Sequence, residues 1–181
     1  MLKRRVHSVV VHHTAGSQTE TAEQIRAAHK ARGWGDIGYH AIVTRAGGIW
    51  HVEQGRHLEW KGAHAGRGFP GNLGSIGISV CGNYVNSPVP LRAAEALYEQ
   101  IFAWFMQLPD LEFIFGHCDL NATACPGNRL YNLIPAIRRS INDGLTCLNF
   151  DFERERNLAI DREAARRAFR ERKAWARGTN A

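Results

Sequence analysis

The sequence predicts an α/β fold of mixed α+β character: a central, mainly mixed β-sheet flanked by helices, followed by a C-terminal helical tail. Three observations carry this. Short runs rich in Val and Ile alternate with segments of helical spacing, and no internal repeat divides them. The 181 residues, 44% of them hydrophobic, suffice for one compact domain with its own core. Beyond Gly144 the character changes to a stretch dense in Glu, Arg and Ala. The division expected is therefore a folded domain over residues 1–144 and a basic helical extension over 145–181.

Each element has its own signal. Val6 to His12 is Val-rich and reads as a strand. Thr21 to Arg32 reads as a helix, with Thr21 as N-cap, Gln24 completing a capping box, Ile25 and His29 on one face, and Gly33 as the stop. His40–Thr44 and Ile49–Glu53 read as strands joined across Gly47-Gly48, a hairpin signal. The glycine-rich stretch from Gly55 to Gly74 is too long for a tight turn and reads as a surface loop. Ser75–Cys81 is apolar enough for a central strand. Leu97, Ile101, Trp104, Phe105 and Leu108 give Leu91–Gln107 a helical stripe. A short strand, Glu112–Gly116, a loop to Pro126 and a last core helix, Leu133–Asn142, complete the domain. In the tail, Glu163 and Arg167 stand in the favourable i, i+4 order, and Leu158, Ala165, Phe169 and Trp175 form a thin apolar stripe.

Composition narrows the function classes. No run approaches the ~20 apolar residues of a membrane span. Met1-Leu2-Lys3-Arg4-Arg5 faintly imitates the start of a signal peptide, but His7, Ser8 and His12-His13 interrupt the apolar stretch behind it and no small-residue cleavage site is near. The expectation is a protein without a signal peptide, made in a (host) cytoplasm and acting elsewhere after release. The net charge of +6 and pI near 9.5 suit a polyanionic partner. No nucleic-acid-binding motif accompanies the charge, so specific nucleic-acid binding is not expected. From Leu145 onward, nine Lys and Arg face six Asp and Glu. Such a helix could contact an anionic envelope, although its thin stripe argues against insertion. The four cysteines, Cys81, Cys118, Cys125 and Cys147, have no disulfide-framework spacing.

The chemical centre is His117-Cys118-Asp119-Leu120-Asn121-Ala122-Thr123-Ala124-Cys125-Pro126-Gly127. An imidazole at a strand end and a thiolate on a Pro/Gly-bounded loop suit zinc. His12 or His13, at the end of another strand, offers a third ligand, which would leave one position for water. Cys118 competes with Cys125; if the chain is extended there, alternation turns Cys118 to the opposite face and favours Cys125.

At these residues the sequence resembles the zinc-dependent amidase class that includes short-tailed phage lysozymes and animal peptidoglycan recognition proteins. The resemblance runs from Val9 to about Gly144. It rests on Val10-Val11-His12-His13-Thr14-Ala15-Gly16, Gly33-Trp34-Gly35-Asp36-Ile37-Gly38-Tyr39-His40, Gly62-Ala63-His64-Ala65-Gly66, Ser75-Ile76-Gly77-Ile78-Ser79, and Gly116-His117 through Cys125-Pro126-Gly127. It implies Zn2+ held by His12, His117 and Cys125, with Tyr39 as a catalytic hydrogen-bonding group. Thr123 stands where phage enzymes carry lysine and many recognition proteins threonine. The related amidases of wall recycling usually carry aspartate as third ligand and glutamate in the central strand; here those places hold Cys125 and Ser79.

The implied reaction is hydrolysis of the amide between N-acetylmuramic acid and L-alanine in bacterial peptidoglycan, in the manner of a phage endolysin. The alternative is a non-catalytic wall-binding or regulatory module on the same fold. An intact ligand set with Tyr39 favours catalysis, since binding alone needs no thiolate on an open metal. Trp60, His64 and the Gly66–Asn72 loop are expected to line the substrate groove, with Trp60 offering a sugar its flat apolar face. His13, His29 and His40 are expected to be supporting groups.

Overall fold

The computed structural model describes residues 4–142. The expected boundary at 144 and the helical tail over 145–181 lie outside the described residues. Five strands form one sheet in the order β3-β2-β4-β1-β5. They are β1 (Ser8–His13), β2 (Ala41–Ala46), β3 (Ile49–Gln54), β4 (Ser75–Val80) and β5 (Phe113–Gly116). β2, β4, β1 and β5 run parallel, and β3 is the antiparallel edge strand. This is the mixed sheet expected.

Burial explains why β1 and β4 sit in the middle. Every residue of both strands is buried, as in a parallel strand covered on its two faces. The antiparallel pair forms because Gly47 and Gly48 take φ of 56° and 83°, the positive values that a two-residue hairpin turn requires. The helices are α1 (Ala22–Ala31), α2 (Gly71–Gly74), α3 (Leu91–Gln107), α4 (Asn128–Tyr131) and α5 (Ile134–Asn142). Both halves of the Thr21/Gln24 capping box close at the start of α1: the Gln24 N–H donates to Thr21 Oγ1 at 3.2 Å, and the Thr21 N–H to Gln24 Oε1 at 2.9 Å. The short helices α2 and α4 and a 3-10 turn over His117–Asp119 occupy stretches whose glycines and prolines read as loop.

The two faces of the sheet differ in character, and that difference positions the site. Along β4, Ile76, Ile78 and Val80 enter the main core with Val9 and Val11 of β1, Ala41 and Val43 of β2, and the buried stripes of α3 and α5. The alternate residues, Ser75, Gly77 and Ser79, face the other way. On that second face, Ile42 packs with Ala22 and Ile25 of α1. The register aligns His12 with Ser79 and Ser79 with Ile42, so His12 belongs to the second face, over a floor of small side chains. Small residues there leave room for a cluster of imidazole and phenol rings.

Candidate metal centre

The candidate ligands converge at the carboxyl ends of β1 and β5. β1 ends on His12 and His13, and the turn after β5 begins at His117. Chain order makes this a crossing point, since β4 and β5 lie on opposite sides of β1. Open sheets bind ligands outside the strand ends at such places. The donor atoms of His12, His117 and Cys125 all lie within 4.8 Å of one another. His12 is 1% exposed, and the other two are partly buried.

Alternation separates His12 from His13, which spacing left as alternatives: His12 groups with His117 and Cys125. His12 faces the triad. His13 faces the main core, where its Nδ1 accepts the Tyr84 N–H at 3.2 Å. Cys125 is the cysteine brought to the site, but not for the reason taken from an extended chain. Residues His117–Asp119 form a 3-10 turn, and Cys118 packs against the main core. Asp119, which carried no signal in the sequence, braces that turn. Its Oδ2 accepts the Gly116 N–H at 2.9 Å and its Oδ1 the Tyr131 hydroxyl at 2.7 Å.

Two imidazoles and a thiol are donors that suit zinc, and one pair of them already has the spacing of a tetrahedral site. Bonds of about 2.3 Å to sulfur and about 2.0–2.1 Å to nitrogen would set two such donors about 3.6 Å apart. His12 Nδ1 and Cys125 Sγ stand 3.6 Å apart. Burial, followed by the neighbouring His64 and His117, holds the His12 pKa well below its ordinary value, so its ring is neutral with a free lone pair. Burial also lowers His117. The Cys125 thiol is pushed up to about 12 by burial, against the opposing His13 N–H. Without a cation this sulfur keeps its proton; a divalent ion would displace it.

Tyr39 stands beside the triad, its ring centroid 5.1 Å from that of His12 and 5.4 Å from that of His29. His29, on the buried face of α1, also accepts the Gly38 N–H on its Nδ1 at 3.0 Å, which anchors the segment that carries Tyr39. Burial and the adjacent Cys125 sulfur push the Tyr39 phenol up to about 12, so it remains a hydrogen-bond donor at neutral pH. Thr123 is exposed on the ligand loop, and its Oγ1 accepts the Cys125 N–H at 3.2 Å, leaving its own hydroxyl proton to donate.

The three expected groove residues part company. Trp60 is 68% exposed and borders a cleft of about 380 Å³ with Gly35, Asp36, Arg56 and His57. That cleft is tied to Tyr39 through the backbone, since the Arg56 N–H donates to the Tyr39 carbonyl at 2.8 Å. His64 is 7% exposed and lies against His12, with His64 Nδ1 3.1 Å from His12 Nε2. Asn72 turns its carbonyl oxygen inward, where it accepts the N–H groups of His64 at 2.7 Å and Ala65 at 2.8 Å. The loop that carries both residues folds back onto the glycine at position 77, against which the His64 ring lies.

His40 and Arg4 fasten the same loop from below. His40 Nδ1 accepts the Gly77 N–H at 2.9 Å, and its Nε2 lies 3.0 Å from the Trp60 carbonyl. The Arg4 guanidinium donates to the carbonyls of Leu58, Leu73 and Ser75 at 3.0, 2.7 and 3.0 Å. Arg4 thereby staples the start of the described residues to the 58–75 segment.

Comparison with known proteins agrees with this architecture. The pattern of the family described as N-acetylmuramoyl-L-alanine amidase matches residues 2–128. Peptidoglycan recognition protein 1 of Bos taurus is 36% identical over 144 residues, covering 74% of this chain and 73% of its own length. The N-acetylmuramoyl-L-alanine amidase LysC from Clostridium intestinale superposes with a TM-score of 0.64 at 28% identity, over 77% of this chain and 87% of that one. A complex of tracheal cytotoxin with the ectodomains of peptidoglycan recognition proteins LCa and LCx gives a TM-score of 0.62 at 30% identity, over 74% and 82%. The chain belongs to the N-acetylmuramoyl-L-alanine amidase family.

Proposed function

We propose that this chain is a zinc-dependent peptidoglycan amidase that hydrolyses the bond between N-acetylmuramic acid and L-alanine, as an endolysin does. The observation that carries the reading is the grouping of His12, His117 and Cys125 at one strand-end site with the Tyr39 phenol beside them. The solved amidase relative and the recognition-protein complex with tracheal cytotoxin support peptidoglycan as the substrate class.

Zinc held by the three side chains would supply Lewis acidity and an acidified water. The protein's own groups supply the remainder. Tyr39, kept protonated by burial, donates a hydrogen bond to the negative charge that develops on the amide carbonyl oxygen. The Thr123 hydroxyl donates from the loop side, without the charge a lysine would bring. Water adds to the carbonyl carbon, the C–N bond breaks, and the amine of L-alanine leaves with a proton, so the products are the lactyl carboxylate and a free peptide amine. Trp60, exposed beside its cleft, presents an indole face to the adjoining sugar.

The recognition-protein relatives favour a second reading, binding without hydrolysis. Mass spectrometry of purified peptidoglycan incubated with zinc-loaded protein distinguishes the two. Peptides with a new L-alanine amino terminus and uncut glycan strands are expected. Tight wall binding with no new amine would establish the second reading instead.

A further inference from the structure

We propose that His64 is a positioning residue for the metal centre, whose Nδ1 accepts the Nε2–H of His12 and holds His12 in the tautomer that leaves its Nδ1 free for a metal ion. The proposal rests on the reading of His12, His117 and Cys125 as a zinc site. It adds a residue that none of the ligand chemistry requires by itself.

The two nitrogens of His12 face different partners. Nδ1 faces the Cys125 sulfur at 3.6 Å, and Nε2 faces His64 Nδ1 at 3.1 Å. A neutral imidazole carries one N–H, and the bond made by one nitrogen decides the state of the other. If His64 donated, His12 would have to accept on Nε2 and carry its proton on Nδ1, the atom turned to the metal site. Only the opposite direction, His12 donating and His64 accepting, leaves the Nδ1 lone pair available.

His64 is built into place for this. Its ring lies over Gly77, where an added Cβ would stand 2.6 Å from His64 Cγ and 2.8 Å from Nδ1. Gly62 also packs against the ring, at its Cδ2 and Nε2, again with no room for a Cβ. Asn72 holds the His64 backbone N–H, and His40 meets the ring edge-on at 5.6 Å. With Nδ1 accepting, the His64 proton must sit on Nε2. That atom is buried and finds no hydrogen-bond partner among the described residues. Leaving a buried N–H unpaired is costly, and an apolar side chain of the same shape would avoid it. What the ring offers against that cost is its Nδ1 acceptor beside His12 Nε2.

Two substitutions separate positioning from packing. His64→Leu keeps most of the volume and removes the acceptor; His64→Asn loses volume but keeps an acceptor oxygen near the place of Nδ1. Zinc affinity is measured by competition with a chromophoric chelator, beside the melting temperature of the zinc-free proteins. His64→Leu is expected to weaken zinc by about 10- to 100-fold, the usual effect of losing such a partner. His64→Asn is expected to recover most of that affinity, although it packs less well. Wild-type affinity in His64→Leu, or weaker binding in His64→Asn than in His64→Leu, would overturn the proposal. Long-range 1H–15N NMR of the zinc-loaded wild type needs no variant to fold. A His12 proton on Nε2 with the metal on Nδ1 is expected, and the reverse overturns the assignment. Both measurements read the metal and not turnover, so a zinc-loaded protein that hydrolyses no wall would refute the amidase reading alone.

Discussion

Replacing Gly77 by Ala probes the floor on which the site is built, and its effect can be worked from the structure. A Cβ there would stand 2.6–2.8 Å from three atoms of the His64 ring. Ordinary carbon contacts need about 3.5–4.0 Å, so the ring must withdraw by roughly 1 Å. Gly62 blocks one retreat and the Asn72 clamp on the His64 backbone another. Overpacking of this kind costs about 1–3 kcal/mol, from which the entropy gained by removing a strand glycine subtracts roughly 0.5–1 kcal/mol. The net loss of about 0–2.5 kcal/mol, centred near 1, corresponds to a fall in Tm of a few degrees, on the scale of about 2–4 °C per kcal/mol for a chain of this size. The same displacement breaks the 3.1 Å contact to His12, so zinc affinity should fall as well. Gly35→Ala is the control, because nothing lies within 4 Å of its added Cβ and its φ is not positive. That substitution should leave the Tm unchanged or raise it slightly. Thermal melting of both variants without zinc, followed by chelator competition, gives the comparison. Wild-type stability and wild-type zinc affinity in Gly77→Ala would refute the account of a steric floor beneath His64.

The site itself sets the other outcomes. Cys125 keeps its proton up to about pH 12 in the zinc-free protein, while His12 and His117 are held below their ordinary pKa and so neutral above about pH 6.5. Zinc binding there displaces the Cys125 proton, so affinity should rise at least about tenfold per pH unit from about pH 7 to 9; isothermal titration in buffers of different ionisation enthalpy counts the protons released, and a pH-independent affinity contradicts a thiol ligand. Cys125→Ala should abolish stoichiometric zinc, as read by elemental analysis. Tyr39→Phe should retain zinc and lower turnover by about 10²-fold or more, with Thr123→Ala costing less; equal rates in wild type and Tyr39→Phe would make the tyrosine a packing residue. A chain ending at Gly144 should still bind zinc and cleave soluble wall fragments, and loss of both would place the remaining 37 residues within the domain's structural requirements.

Much of this protein is local, and what is local was legible in the sequence. The capping box at Thr21, the Gly47-Gly48 hairpin and the long stripe of α3 each depend on residues within a few positions of one another, where propensity and hydrogen bonding act before any tertiary contact. The ligand candidates were legible too, because strand-end imidazoles and a loop thiol carry their chemistry with them. Which of the candidates meet was decided by tertiary structure. His12 and His13 are chemically alike and adjacent, and only the burial of one sheet face under α3 and the other under α1 separates them. Cys118 and Cys125 are distinguished by a 3-10 turn that Asp119 braces, itself held by Tyr131 from beyond the motif. His64 reads as a loop residue in the sequence, and only the fold sets its ring over Gly77, thirteen positions on. Arg4 carries no structural signal of its own in the sequence, yet three carbonyls from the 55–75 segment gather around it. In each case the deciding contact joins groups whose separation along the chain conceals their proximity, and side-chain volume on the sheet's second face is what admits or excludes them.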